Sequence, residues 1–194
     1  MALLCWGGLS LQLIYLSPVI DHANPHIEEV LNRHRPALGS CYDAYRNHVY
    51  RVYNLSLQLY RLTKPEEASL AIAAAFHDLG IWAANTFDYL PPSVTLAQAY
   101  AAEMGLGAQA EQIATIINNH HKLSRFKSNA LAEAFRKADL IDLSLNVFRF
   151  GIKGSYLKEL NRAYPGRGFH RFIFGKILKN ILRHPLNPLP MVRL

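Results

Sequence analysis

Four positions carry side chains that metal chemistry can use and that a helical core does not readily hold: His48, the adjacent His77 and Asp78, and Asp139. His48 stands at i, i+4, i+7 and i+11 with Val52, Leu55 and Leu59, on the apolar face of its segment. His77 and Asp78 end the apolar run "AIAAAFHDLG". Asp139, in "FRKADLIDLS", sits at the edge of a stripe made by Leu131, Phe135, Ala138 and Leu145, with Asp142 nearer its middle. A buried carboxylate without a partner is costly. Taken singly, each residue has a plainer reading, a hydrogen-bonded core histidine or an aspartate in a cap or salt bridge. Taken together, imidazole nitrogens and carboxylate oxygens suit a divalent transition metal: Zn, Mn, Fe, Co or Ni.

The elements that must position these residues read as helices throughout. Asp21 is expected to cap a short helix to about Leu31, with Pro36 and Gly39 ending it. A second helix covers 41–62. "TKPEE" then starts a third, with Thr63 and Glu66 spaced as a capping box and Pro65 at an early position, running to about Ala84. Pro91-Pro92 is expected to lie in a loop, with Ser93 or Thr95 starting the next helix, which ends near 105–107. Helices over 108–121, 128–146 and 168–183 follow. The three prolines of "HPLNPLPMVRL" predict an extended tail. No alternation of period two appears, so the expected fold class is all-α.

At 194 residues and 51 % apolar content the chain suits one domain. It divides into an N-terminal segment packing on the domain (1–39), a core (40–146) and a basic amphipathic extension of the same domain (147–194). Cys5 and Cys41 lack metal-type spacing and indicate no disulfide framework, so a cytoplasmic location is expected. The first twenty residues are apolar, without the charged start or cleavage site of a signal peptide. Gly7, Gly8, Ser10, Gln12 and Pro18 weaken a spanning helix there, leaving a packing segment or a leader as the expectation, with an export or anchoring signal as the alternative.

Order adds to composition. His, then His-Asp, then Asp, each on its own helix, in "RNHVYRV", "AFHDLG" and "FRKADLIDL", resembles the HD superfamily of metal-dependent phosphohydrolases over about residues 40–146. The resemblance implies an HD-domain helical bundle with one divalent metal held by His48, His77, Asp78 and Asp139. It implies a small phosphorylated substrate, a phosphate ester or phosphoanhydride, hydrolysed by metal-activated water. Asp78, a ligand that can also touch that water, is a candidate base. Asp139 is preferred to Asp142 as ligand because the "AD" pair matches the family pattern.

Around this core the match loosens. Two-metal members of the family use further histidines, yet residues 79–119 contain none. One metal is therefore favoured, with His120 or His121 contacting substrate phosphate or standing behind the ligands. Arg51, three residues after His48, is read either as a phosphate-binding catalytic group or as half of a structural salt bridge. Lys122 and Arg125 are read as phosphate contacts or as ordinary exposed cations. Asp88 is either the missing general acid or a solvated loop residue. Ile81 and Trp82 stand where better-known branches carry charged groups. The alternatives on the same scaffold are an oxygenase, a hydratase, and a non-catalytic metal- or nucleotide-binding module.

Charge is concentrated at one end. Residues 146–194 hold ten Lys or Arg and one acid, Glu159, so the rest of a chain of net charge +7 is slightly negative. In "GFHRFIFGKILKNILRHPL" apolar and basic residues interleave at helical spacing. That helix is expected to dock on the bundle, with contact to a membrane surface or to a partner as alternatives. Its aromatics lie in the apolar stripe, so no nucleic acid is expected. A homodimer is left open.

Overall fold

The computed structural model describes residues 19–192, and among these every regular element is helical. The leader reading for the first residues lies outside the described residues up to position 18.

Asn24, not Asp21, caps the first helix, α1 (Pro25–Arg33): its side chain accepts from the backbone N–H of His26 and Ile27. Asp21 instead closes a turn by accepting from Ala23 N–H. Pro36 opens rather than ends a short turn, α2 (Arg35–Leu38), which stops at Gly39 in the left-handed region. α3 (Tyr42–Leu59) carries Tyr45, Val49, Val52 and Leu55 into the core, as its spacing predicts. α4 (Lys64–Phe76) starts with the expected box: Glu66 accepts from the Thr63 backbone N–H at 2.8 Å and from its hydroxyl at 2.7 Å.

The run that looked like one helix to Ala84 is broken. α4 ends at Phe76, His77 to Leu79 form a turn, and a short α5 (Gly80–Ala83) follows. The two prolines are not in a loop; they form the first turn of α6 (Leu90–Glu103), where missing N–H groups leave no helical bond unmade. α7 (Ala110–Asn119), α8 (Ala130–Leu143), α9 (Gly154–Ala163) and α10 (Phe169–Arg183) complete the order. The tail after α10 is not extended. It turns through Asn187 N–H to His184 carbonyl and Val192 N–H to Leu189 carbonyl bonds and buries Met191.

One hydrophobic core takes residues from all three expected sections: Ile27, Val30 and Leu31 of α1, the faces of α3, α4, α7 and α8, and Tyr156, Leu160, Phe169 and Ile173 of α9 and α10. Polar ties reinforce this. Asp21 N–H donates to Asn54, and the Tyr164 hydroxyl donates to the Asp21 carbonyl. No helix among the described residues is long and apolar enough to cross a membrane.

Gly80 shows how tightly the break after α4 is packed. A Cβ there would stand 2.5 Å from the Tyr89 carbonyl oxygen and 2.9 Å from Ser93 Oγ, which itself accepts from Gly80 N–H at 3.0 Å. Since backbone on the far side cannot swing away, Gly80→Ala is expected to lower stability by about 1–3 kcal/mol in urea unfolding, the ordinary cost of overpacking. An unchanged midpoint would show that α5 and α6 separate freely.

Candidate functional site

α3, the end of α4, the end of α7 and α8 converge on one buried cluster. It contains His48 from α3, His77 and Asp78 from the turn after α4, His120 and His121 just after α7, and Asp139 from α8. Three overlapping groups within it, His48–His77–Asp139, His77–Asp78–His120 and His120–His121–Asp139, bring their ligand atoms close enough to hold a metal ion.

The tautomers follow from hydrogen bonds on the far side of each ring. His48 Nδ1 donates to Asp142 Oδ2 at 2.7 Å, His77 Nδ1 to the Ala74 carbonyl at 2.8 Å, and His120 Nδ1 to the Ile117 carbonyl at 2.6 Å. Each bond leaves Nε2 as the inward lone pair, the arrangement that orients metal-binding imidazoles. His48 Nε2 lies 3.6 Å from both Asp78 Oδ2 and Asp139 Oδ1. His77 Nε2 lies 3.5 Å from Asp78 Oδ2, and His120 Nε2 lies 3.4 Å from Asp78 Oδ1.

Positive charge is what this geometry asks for. His48 Nε2 and His77 Nε2 are 2.9 Å apart, so two lone pairs would face each other unless a proton or a metal lies between them. A proton would satisfy only that pair. It would leave Asp78 Oδ1, Asp139 Oδ1 and His120 Nε2, all buried, without a hydrogen-bond partner. A cation held by one of the three groups would answer several of the atoms at once. The electrostatics agree. Burial opposes charge on His48, yet the carboxylates of Asp142 and Asp78 outweigh it and raise the ring to about 9. Burial drives His77 down to about 3 and Asp139 up to about 7. Against burial, His77, His120 and His48 hold Asp78 well below the carboxylate range. Two carboxylates on one dry cluster do not ionise together without a cation.

Asp142 has the supporting role, which leaves Asp139 free to face the cluster. Arg51 grips it through Nε to Oδ1 at 2.5 Å and Nη2 to Oδ2 at 2.9 Å, while Nη1 donates to the Tyr164 carbonyl at 2.8 Å. Of the two readings of Arg51, the salt bridge is the one the structure contains. Arg51 is buried, and each of its three guanidinium nitrogens donates to Asp142 or to the Tyr164 carbonyl behind His48.

Other expected contacts fall elsewhere. Asp88 is exposed and lines a surface groove with Asn187 and Pro190. Arg125 lines a separate groove with Lys127 and Lys137. Lys122 is half-buried, and its carbonyl accepts from Arg136. None of the three lines the cavity beside the cluster. His121 does line it, and His120, expected to touch substrate, belongs to the ligand cluster.

That cavity, about 150 Å³, is bordered by Asp78 and His121 and walled by apolar side chains including Phe87, Leu143, Ile173 and Met191. Two residues missed in the sequence shape the site. The Tyr89 hydroxyl lies 2.6 Å from His121 Nε2 and its ring lines the cavity. Phe169 stacks on the His48 ring, centroids 3.9 Å apart and planes 14° from parallel. Tyr89 adjoins the suspected Asp88 and carried no spacing signal. Phe169 was visible only as one apolar residue of a basic helix.

No family model, curated protein or solved structure matches this chain, so the site is read from its own geometry.

If Arg51 is structural, Arg51→Ala strands a buried carboxylate. The expected loss is about 3–5 kcal/mol of unfolding free energy in a denaturant titration. Stability retained to within about 1 kcal/mol would restore the phosphate-binding reading.

Proposed function

We propose that the protein is a metal-dependent hydrolase of the HD type. One divalent transition metal (Mn, Fe, Co, Ni or Zn) is held by His48, His77, Asp78 and Asp139, with His120 completing the surroundings. The substrate is a small phosphate ester or phosphoanhydride. The observation that carries this reading is the convergence of three oriented Nε2 lone pairs and two unpartnered carboxylate oxygens in one buried cluster.

A metal in such a site supplies Lewis acidity, making water acidic enough to attack near neutral pH and drawing charge from a phosphoryl oxygen. The chain's own residues supply the rest. Asp78 borders both the cluster and the cavity, which suits it to accept the proton of an attacking water. The bond from Asp142 keeps His48 Nε2 directed inward. Phe87, Leu143, Ile173 and Met191 keep bulk water from the apolar end of the cavity.

A second reading has one observation in its favour. Among the described residues no Lys or Arg lines the cavity, so the organic part of a substrate meets apolar walls there. That favours either a phosphate ester with an apolar organic group or, on the same ligands, a hydratase that adds water to a small neutral molecule.

Elemental analysis of untagged, chelator-free protein tests the reading first. About one transition metal per chain is expected in the wild type and essentially none in a folded His77→Ala variant. Neither protein binding Mn, Fe, Co, Ni or Zn on soaking would make these four residues structural polar groups and end the hydrolase proposal.

With metal present, release of inorganic phosphate from small esters is expected. Asp78→Ala should lower it by at least about a hundredfold while the fold is kept. Metal without phosphate release, but with hydration of a nitrile-like compound, would select the second reading. Cellular function retained by Asp78→Ala would point to a binding module.

A further inference from the structure

α10 is apolar on two sides. Its inner side packs as expected, with Phe169 and Ile173 buried in the core. Its outer side does not resemble an ordinary solvated face. Phe174, Leu178, Ile181 and Leu182 recur at i, i+4, i+7 and i+8, and are 51, 60, 40 and 75 % exposed. Leu186, just past the helix, is wholly exposed. A contiguous stripe of large apolar side chains in water marks a surface that meets something.

Charge beside the stripe says what. Lys176, Lys179 and Arg183, at i, i+3 and i+7, line a groove of about 420 Å³ between α10 and residues 85–87, together with Asn180 and His184. No Asp or Glu lines that groove. None of the three cations forms a salt bridge among the described residues, and Asp88 lines the adjoining groove, which shares Asn180 and His184 with this one. The chain has no acidic residue after Glu159. A second copy of this face would bring two positive helices together. A bare polyanion would satisfy the cations and leave the stripe in water. An anionic bilayer satisfies both, with acyl chains for the leucines and headgroup phosphates for the groove.

We propose that the outer face of α10 is a docking surface for an anionic lipid bilayer: Phe174, Leu178, Ile181 and Leu182 enter the headgroup–acyl boundary while Lys176, Lys179 and Arg183 hold headgroup phosphates. The surface is independent of the metal reading. Phe174 also forms part of the wall of the cavity beside Asp78, so the docked face adjoins the mouth of the site.

Vesicle co-sedimentation of the full chain tests this. Vesicles of phosphatidylcholine alone are compared with vesicles of equal parts phosphatidylcholine and phosphatidylglycerol, at low and high salt. The variants are Leu178→Glu with Leu182→Glu, and separately Lys179→Gln with Arg183→Gln. These side chains are solvated or line an open groove, and circular dichroism checks the fold of each variant. The wild type is expected to sediment with the anionic vesicles, not the neutral ones, and to be released by salt. Each double variant should weaken that partitioning at least about tenfold. Residues 1–18 are common to all forms, so a contribution from them cancels. No sedimentation of the wild type with anionic vesicles would overturn the proposal, as would equal sedimentation of wild type and both variants. A dimer abolished by the leucine substitutions, in protein that ignores vesicles, would overturn it in favour of self-association.

Discussion

A buried ion pair sits behind everything the cluster does. Arg51 and Asp142 meet between α3 and α8 with almost no exposure, and Asp142 passes the constraint on to His48 Nδ1. An ion pair of this kind adds little stability over a well-packed apolar pair, because both charges were taken out of water. What it provides is direction. With Nδ1 engaged, the neutral His48 ring has a single lone pair, on the Nε2 that faces His77, Asp78 and Asp139. The same guanidinium holds the Tyr164 carbonyl, and His170 bonds the Asp142 carbonyl, so the segment after α9 is tied to the same anchor.

This anchoring changes the standing of the C-terminal quarter. Its charge marks it as a different kind of sequence from the core, yet Phe169 stacks on the His48 ring while Ile173, Ile177, Leu189 and Met191 wall the cavity. α10 and its returning tail thus supply a ring against His48 and part of the wall of the cavity beside Asp78 and His121. One face of α10 therefore finishes the site while the opposite face remains apolar and basic toward solvent.

Much of this was legible in the sequence. The helices bearing His48 and Asp139, and the one that ends just before His77-Asp78, could be traced from periodicity, and a capping box located the start of α4 to the residue. What could not be read was mostly a matter of distance along the chain. Arg51 three residues after His48 suggested a shared surface; only Asp142, ninety-one positions later, decided which way the guanidinium turned. Tyr89 and Phe169 owe their places to tertiary packing and had no local mark. Pro91-Pro92 was misread because two prolines break a helix interior and equally suit a first turn, and the two cases look alike until the partner of the turn is known. The tail was misread in a similar way: its prolines exclude a helix, but not a chain that doubles back to bury Met191.

The cluster and its cover are separated along the chain. The cluster spans positions 48–139, whereas the ring stacked on His48 and half of the residues lining the cavity come from 169–192. The cluster and the residues that enclose it therefore come from successive stretches of the chain, the enclosing ones last.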